Sequence, residues 1–316
     1  AKIPVRSAGV SSILLTGLGG SAIGGDLLRA YLSDELAVPF SVNRHYALPE
    51  FVGPKTLVIV SSYSGNTEET IAAQKDATRR KARVLCISTG GAVTEFARKR
   101  NQPCISIPGG LQPRAALAYS FFPLLIALGK AGFIRPKDKD VRETIELLRQ
   151  KSRLWSTPDA SANPAINLAG SIKGKLPVIY SGVEHLDAVN LRWRGQIEEN
   201  AKQLAYGNVF PEMNHNELVG WNGLADLMKQ MHVVILRDKA DHARVAVREN
   251  ITKEIINRHS SAVTEVWSDG TSLLARMFSL VHFGDWVSFY LAILNGQDPT
   301  PVRAIDHLKD ALARVQ

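Results

Sequence analysis

The chain has 316 residues, of which 45% are hydrophobic and 22% charged, so we expect a globular protein with a sizeable core. Its formal charge is +8, but the basic residues are scattered and no aromatic-interleaved basic strand occurs, which disfavours a nucleic-acid partner. The longest apolar segment, Leu273 to Leu294, contains Arg276, His282 and Asp285, so it predicts a buried helix and no membrane partner. No charged-then-apolar leader is recognisable, and we expect a cytoplasmic protein.

Strands and helices alternate along the first half of the chain. This alternation predicts a parallel sheet covered by helices. The predicted strands are Ile13–Thr16, Phe40–Val42, Thr56–Ser61, Arg83–Ser88 and Cys104–Ile107, and the predicted helices run through Tyr31 and over Glu68–Arg80, Val93–Arg100 and Ala115–Ala131.

A second strand–helix series begins at Pro177–Ser181, after a polar stretch punctuated by prolines. Its later strands, Val233–Leu236 and Ala262–Trp267, repeat the plan of the first half, which predicts a duplicated α/β unit. We therefore predict a first domain over 1–134, a connector over 135–165 and a second domain over 166–316.

One loop differs sharply between the two copies. The first copy has a serine-rich loop over Ser61–Thr67, whereas the second has Arg237-Asp-Lys-Ala-Asp241. A feature of the fold should persist in both copies, so the serine-rich loop is interpreted as functional.

The two cysteines, Cys86 and Cys104, form no C-x-x-C pair and stand beside no histidine. They are predicted to be buried free thiols. The chain has no H-x-H or H-E-x-x-H spacing, so a zinc site is not supported and no metal is expected.

A glycine-rich segment, Thr16 to Asp26, lies between a predicted strand and a helix. Glycines there let backbone N–H groups approach an anion at a helix N-terminus. Gly17 and Gly19 partly fit a dinucleotide fingerprint, but Asn43 and Arg44 occupy the place of its acidic residue. A nicotinamide site is therefore disfavoured, and a tight turn without a ligand stays open.

The serine-rich loop also joins a strand to a helix. Ser62, Ser64 and Thr67 offer three hydroxyls around Gly65, which suits a phosphate monoester. An ordinary helix-capping turn would also use such residues. The combination of three hydroxyls with a glycine, opposite another glycine-rich turn in a parallel sheet, favours a phosphate cradle.

The remaining reactive side chains follow later strands. Arg114 stands ahead of a helix after two glycines, where it could steady an anionic intermediate or lie on the surface. Segments 194–202 and 210–217 bring carboxylates and a histidine flanked by asparagines. A glutamate and a histidine serve the proton transfers of aldose–ketose isomerisation. Lys309, taken alone, is a surface lysine on a terminal helix.

Together these motifs resemble the bifunctional phosphoglucose/phosphomannose isomerases of the sugar-isomerase (SIS) superfamily. The resemblance runs through nearly the whole chain, and the order and joint presence of its motifs are specific. They are Gly17–Ser21, Ser62–Thr67, Gln112–Arg114, Glu199–Asn200, Asn214–Glu217 and the Asp298–Lys309 tail.

The resemblance implies an α/β fold of two SIS-type subdomains, each a parallel sheet flanked by helices (an αβα sandwich). It also implies an isomerase that interconverts glucose 6-phosphate, and mannose 6-phosphate, with fructose 6-phosphate through a cis-enediolate. No metal or organic cofactor is implied, and the family forms homodimers.

Residue roles follow from the same resemblance. Glu199 is the base, Arg114 stabilises the enediolate, and His215 assists ring opening from the partner subunit. Lys309 helps to position or open the ring, and Thr300 is the nearest candidate for the hydroxyl that admits the C2 epimer. The phosphate is held by Gly19, Gly20, Ser21, Ser62, Ser64 and Thr67.

Two other functions stay open beside the isomerase. A non-catalytic sugar-phosphate regulator would need the phosphate loop but not Glu199, His215 and Lys309. An SIS isomerase for another sugar phosphate, such as an amino sugar, would share the same loop.

Overall fold

A computed structural model describes residues 5–159 and 161–315 and divides the chain into two compact units, Ala1–Lys139 and Asp140–Gln316. Each unit is a parallel β-sheet with helices packed against it. The predicted αβα architecture is therefore confirmed. The sequence-based domain limits, with a connector over 135–165, stay a prediction, and one long helix fills most of that connector.

The first unit contains a five-stranded sheet with the strand order β2-β1-β3-β4-β5, and every pairing is parallel. Its elements are β1 (Ser12–Thr16), α1 (Gly19–Leu32), β2 (Phe40–Asn43), β3 (Thr56–Ser62), α2 (Glu68–Arg79), β4 (Arg83–Ser88), α3 (Gly91–Lys99), β5 (Cys104–Ser106), a 3₁₀ turn (Pro113–Ala116) and α4 (Leu117–Ala131).

The central strand β3 explains why this sheet forms. All seven of its residues are buried, because helices cover both faces of a parallel sheet. Each fully buried Leu, Ile or Val side chain contributes roughly 1.5–3 kcal/mol relative to an exposed one. Its continuous apolar run was the clearest strand signal in the sequence. The carboxyl end of β3 carries the serine-rich loop.

Helix α1 contains much of the glycine-rich segment. The sequence predicted a helix that runs through Tyr31, and this helix starts at Gly19 and includes Gly24 and Gly25. A Cβ at Gly24 would lie 2.4 Å from the Ser120 hydroxyl, and one at Gly25 would lie 2.8 Å from the Leu15 side chain. These glycines allow close packing of α1, although glycine has a low helix propensity.

The second unit has a four-stranded parallel sheet with the order β7-β6-β8-β9, which repeats the order of β2, β1, β3 and β4. The predicted duplication is therefore confirmed in the topology. The elements after β5 and α4 are α5 (Asp138–Trp155), α6 (Pro164–Ile172), β6 (Leu176–Gly182), α7 (Asp187–Ala201), β7 (Tyr206–Phe210), a 3₁₀ turn (Glu212–His215), α8 (Glu217–Gly220), α9 (Ala225–Met228), β8 (Met231–Arg237), α10 (Ala243–Ile256), β9 (Ala262–Trp267), α11 (Leu273–Leu294) and α12 (Arg303–Leu312).

The long apolar helix α11 packs inside the second unit against α7 and α6. It and the segment Pro113–Ala131 are long and apolar enough to cross a membrane, but 61% and 56% of their apolar windows are buried. Core helices of globular units share this property. The prediction that Leu273–Leu294 forms a buried helix is confirmed.

The two cysteines are both free, but their burial differs from the prediction. Cys86 lies in β4 and is buried, whereas Cys104 is exposed on β5. The prediction of a buried thiol was wrong for Cys104, because β5 is the edge strand of the sheet and leaves alternate side chains uncovered.

Candidate active site

The start of α1 lies against two other predicted site segments of the first unit. Gly20 must be a glycine, because a Cβ there would lie 2.5 Å from the Pro113 carbonyl oxygen. The Ser21 hydroxyl is buried and accepts a hydrogen bond from the Tyr63 N–H at 3.0 Å. Gly19 has a φ of +51°, and apart from its chain neighbours and the backbone of α1 no described atom lies within 4 Å of its Cβ position. The helix start is therefore fixed in place while Gly19 stays open.

The serine-rich loop is held in shape by its own hydroxyls. Ser62 is buried, accepts from the Gly65 N–H at 3.1 Å, and lies 3.1 Å from the Thr67 hydroxyl. Thr67 occupies the N-cap position of α2, but its side chain makes no capping bond. The Ser64 hydroxyl accepts from the Asn66 N–H at 3.2 Å, and Ser64 is exposed. The loop is therefore not an ordinary helix-capping turn. Ser64 is the residue whose hydroxyl is exposed to solvent.

Residues that follow β4 also fix the shape of the serine-rich loop. Gly65 has a φ of +72°, and its backbone oxygen accepts from the Val93 N–H at 2.9 Å. The Thr89 hydroxyl donates to the Tyr63 carbonyl at 2.7 Å. The loop therefore has one defined shape, as a preformed anion site requires.

Arg114 is buried, with 6% of its surface exposed, in the 3₁₀ turn before α4. The loop before this turn contacts the serine-rich loop, because the Leu111 N–H donates to the Tyr63 hydroxyl at 3.1 Å. The first unit therefore brings together the start of α1, the serine-rich loop and the arginine turn. Their adjacency was expected only from the order of the strands.

A dinucleotide site needs an acidic residue at the end of the second strand, and this chain has Asn43 and Arg44 there. Arg44 follows β2 and forms an ion pair with Asp26, which is buried on α1. Asn43 donates to the His45 carbonyl at 2.9 Å. Asn43 and Arg44 offer no carboxylate to a ribose hydroxyl, and the Arg44 guanidinium is paired with Asp26, so the nicotinamide interpretation stays disfavoured.

Glu199 lies near the end of α7 in the second unit and is partly buried. A polar stripe on α7 fixes this helix on α11: Gln196 donates to Asp285 at 2.8 Å, and Asn200 donates to Ser288 at 2.9 Å. Sequence reasoning missed this stripe. The four-residue spacing of Arg192, Gln196 and Asn200 is the signal that could have found it.

The residues after α7 connect Glu199 to the start of the C-terminal tail. Lys202 caps α7, and its ammonium donates to the Glu199 carbonyl at 2.5 Å and the Pro299 carbonyl at 3.4 Å. Thr300 follows directly, with its N–H bonded to Asp298 at 2.8 Å. The structure therefore brings the Thr300 segment to the end of α7.

His215 and Lys309 lie on separate segments. His215 ends the 3₁₀ turn after β7, and Lys309 lies on α12; both are exposed. Their approach to Glu199 stays a prediction.

The second copy fills the place of the serine-rich loop with charged side chains. Arg237, at the end of β8, is buried; it lies 2.8 Å from the Glu249 carboxyl group and pairs with Glu265 at 2.5 Å. Arg276 pairs with Asp238 at 3.0 Å. These internal ion pairs replace the hydroxyl cradle, which supports the interpretation that the phosphate loop belongs to the first copy alone.

The Glu249 carboxyl group in this network should make the free energy of unfolding depend on pH. The Glu249 carboxyl group is completely buried beside Arg237, and this burial raises its pKa from 4.5 to about 8. Between these values the folded chain keeps a proton that the unfolded chain loses, so the free energy of unfolding falls as the pH rises.

Glu249→Gln should remove this dependence. Between pH 5.5 and 8 we expect the wild type to lose on the order of 2 kcal/mol relative to the variant, measured by urea denaturation. Glu254→Gln, an exposed change on the same helix, serves as the control. Parallel pH profiles for the wild type and Glu249→Gln would contradict the shifted pKa.

Comparison with known proteins identifies the family. A protein of Caldicellulosiruptor bescii described as a "Bifunctional phosphoglucose/phosphomannose isomerase" is 47% identical over 315 residues, which cover 99% of this chain and 93% of the relative. The chain belongs to the bifunctional phosphoglucose/phosphomannose isomerase family. A relative of the same description from Aquifex aeolicus is 35% identical over 96% of this chain and 90% of its own length.

Other comparisons agree with this family. Residues 161–312 match the model of the bacterial phospho-glucose isomerase C-terminal SIS domain. A solved "glucose-6-phosphate isomerase like protein" from Thermus thermophilus superposes with a TM-score of 0.63 at 21% identity, covering 98% of this chain and 90% of that one. At that identity the superposition shows the shared fold.

Proposed function

We propose that this chain interconverts glucose 6-phosphate and mannose 6-phosphate with fructose 6-phosphate in the cytoplasm. The observation that carries the proposal is the preformed cradle of the first unit, in which the start of α1, the serine-rich loop and buried Arg114 are tied together. The full-length similarity to isomerases of this description supports it.

The chemistry needs one mobile proton. Glu199 acts as the base that moves it between C1 and C2, and Arg114 stabilises the negative charge of the cis-enediolate between these steps. The enediolate is planar at C2, so Glu199 gives one C2 epimer or the other according to which face of C2 is turned toward it. His215 and Lys309 handle the ring and hydroxyl protons.

The phosphate binds at the cradle. Exposed Ser64 contacts it directly, and Gly19 and Gly20 offer backbone N–H groups at the start of α1. Ser21, Ser62 and Thr67 shape the surrounding loop, because their hydroxyls already bond within it.

Ser64→Ala should weaken the binding of the substrate's phosphate group. Loss of one hydrogen bond to a charged phosphate should raise KM about 10- to 100-fold and leave kcat within about 2-fold, since such bonds contribute roughly 1.5–3 kcal/mol. The dissociation constant of inorganic phosphate should rise in parallel. Ser33→Ala, at the exposed far end of α1, is the control. A kcat defect with unchanged phosphate affinity would contradict this role.

We further propose a homodimer in which His215 acts on the partner's substrate. Val219 and Leu224 lie close behind His215 in the chain and are 73% and 74% exposed. Large apolar side chains exposed on one short segment favour a protein interface, and in a two-fold dimer each subunit would present this segment to the other.

A mixed dimer tests this arrangement. Glu199→Gln and His215→Ala chains with different tags are coexpressed, and the doubly tagged species is isolated. If His215 serves the partner's site, one site is intact and activity should be about half that of the wild-type dimer. An inactive mixed dimer, or a monomer in sedimentation, would contradict the proposal.

A substrate panel separates the isomerase from the other functions. With chelator present, glucose 6-phosphate and mannose 6-phosphate should each yield fructose 6-phosphate, while glucosamine 6-phosphate should not react. Turnover of the amino sugar alone would favour a different SIS isomerase. Saturable binding of fructose 6-phosphate without turnover would favour a regulator.

A further inference from the structure

The short segment between β7 and α8 presents His215 to solvent while its neighbours are anchored. Met213 is completely buried in the core of the second unit. The Asn214 amide donates to the Thr252 hydroxyl of α10 at 2.8 Å. The chain is thus fixed immediately before the exposed histidine.

A second anchor follows His215. The Glu217 carboxylate accepts a hydrogen bond from the Tyr180 hydroxyl at one oxygen and from the Asn208 amide at the other, at 2.8 Å. The Trp221 indole N–H donates to the Tyr180 oxygen at 3.1 Å. Each member of this network therefore has a defined partner, which rigidifies the segment.

The network places polar side chains in the core, and removing them from water costs free energy. Tyr180 is completely buried on β6, and apolar packing at such a position usually gives as much stability without desolvating polar groups. Burial and the nearby Glu217 charge raise the pKa of Tyr180, so its hydroxyl stays a donor. A buried polar network of this kind favours one geometry over its alternatives.

We propose that Tyr180 and Glu217 are positioning residues that hold the His215 imidazole in the orientation needed for ring opening. Glu217 lies two residues beyond His215, and Tyr180 fixes it to the sheet. The inference rests on the proposed role of His215.

The test is a double-mutant cycle between Tyr180→Phe and His215→Ala. Tyr180→Phe should lower kcat for glucose 6-phosphate about 10-fold and leave KM within about 2-fold. In the His215→Ala background the same change should have no further effect, since its target is absent. Tyr206→Phe, an exposed tyrosine on β7, is the control and should be neutral.

A second readout separates positioning from damage to the fold. An open-chain sugar-acid phosphate, 5-phosphoarabinonate, has no ring to open, so its dissociation constant should be unchanged in Tyr180→Phe. Glu217→Gln gives an independent variant, because its amide group would face the Asn208 amide and misplace the segment. We expect the same selective loss of kcat for it.

The outcomes are distinguishable. Equal losses from Tyr180→Phe with and without His215, or weaker binding of 5-phosphoarabinonate, would overturn the positioning role alone. Wild-type turnover in His215→Ala would overturn the proposed role of His215 and this inference with it.

Discussion

Glu199→Gln is expected to lower kcat about 10²–10⁴-fold for both aldose phosphates, because proton transfer between C1 and C2 loses its base. Glutamine has nearly the size of glutamate and keeps an oxygen acceptor. The binding of inorganic phosphate and the free energy of unfolding should therefore stay close to those of the wild type. Steady-state kinetics with each aldose, together with phosphate titration, measure these quantities.

The surroundings of Glu199 make this variant informative. Asn200 and Lys202 fix the end of α7 by bonds to Ser288 and Pro299, so the side chain at 199 can change without moving the helix. Glu198→Gln is the matched control, since Glu198 is exposed and adjacent in sequence. Near-normal turnover in Glu199→Gln, or an equal loss in the control, would contradict the assignment of the base.

Gly65→Ala is expected to be the most destabilising single change in the phosphate cradle. A Cβ at Gly65 would lie 1.8 Å from the Gly90 carbonyl oxygen, and the backbone φ is +72°. Left-handed backbone costs a non-glycine residue roughly 1–2 kcal/mol, and overpacking adds roughly 1–3 kcal/mol. We expect a loss of about 3 kcal/mol in the free energy of unfolding, together with loss of phosphate binding.

The control for this change is Gly53→Ala. Gly53 lies in the same unit, and apart from its two chain neighbours no described residue has an atom within 4 Å of its Cβ position. Urea denaturation should show little change for Gly53→Ala and a clearly lowered midpoint for Gly65→Ala. A Gly65→Ala protein with wild-type stability and phosphate affinity would show that the loop adopts another shape.

Much of the fold was predictable because a parallel sheet buries its strands on both faces. The apolar runs of β3, β4 and β8 stand out against polar loops, and their order predicted a duplicated sheet. Strand β7 was missed because Tyr206–Phe210 contains a glycine and an asparagine. Its pairing with β6, and not its own propensity, makes it a strand.

The first residues of α1 show that intrinsic helix propensity does not by itself predict which residues form this helix. Glycines argue against a helix, yet Gly20, Gly24 and Gly25 lie within α1, because neighbouring elements approach too closely for any side chain. The sequence predicted that these glycines let an anion approach the backbone, which stays a prediction. What the sequence could not show is that other parts of the protein pack this closely against Gly20, Gly24 and Gly25.

The candidate site, too, was only partly predictable from the sequence. The hydroxyls of the loop were predictable as a group, but only coordinates separate Ser62, which is buried and shapes the loop, from exposed Ser64. The burial of Arg114 was equally hidden, since a lone arginine is usually on the surface. Tyr180 belongs to an apolar strand in the sequence, and its bond to Glu217 spans 37 residues.

The most direct test of the central claim is one reaction: purified protein, fructose 6-phosphate and chelator, with glucose 6-phosphate and mannose 6-phosphate followed separately by NMR. One site and one base for both epimers predict that both aldoses form, and that Glu199→Gln slows both by the same factor. No aldose from the wild type, or a variant that loses one product and keeps the other, would contradict that claim.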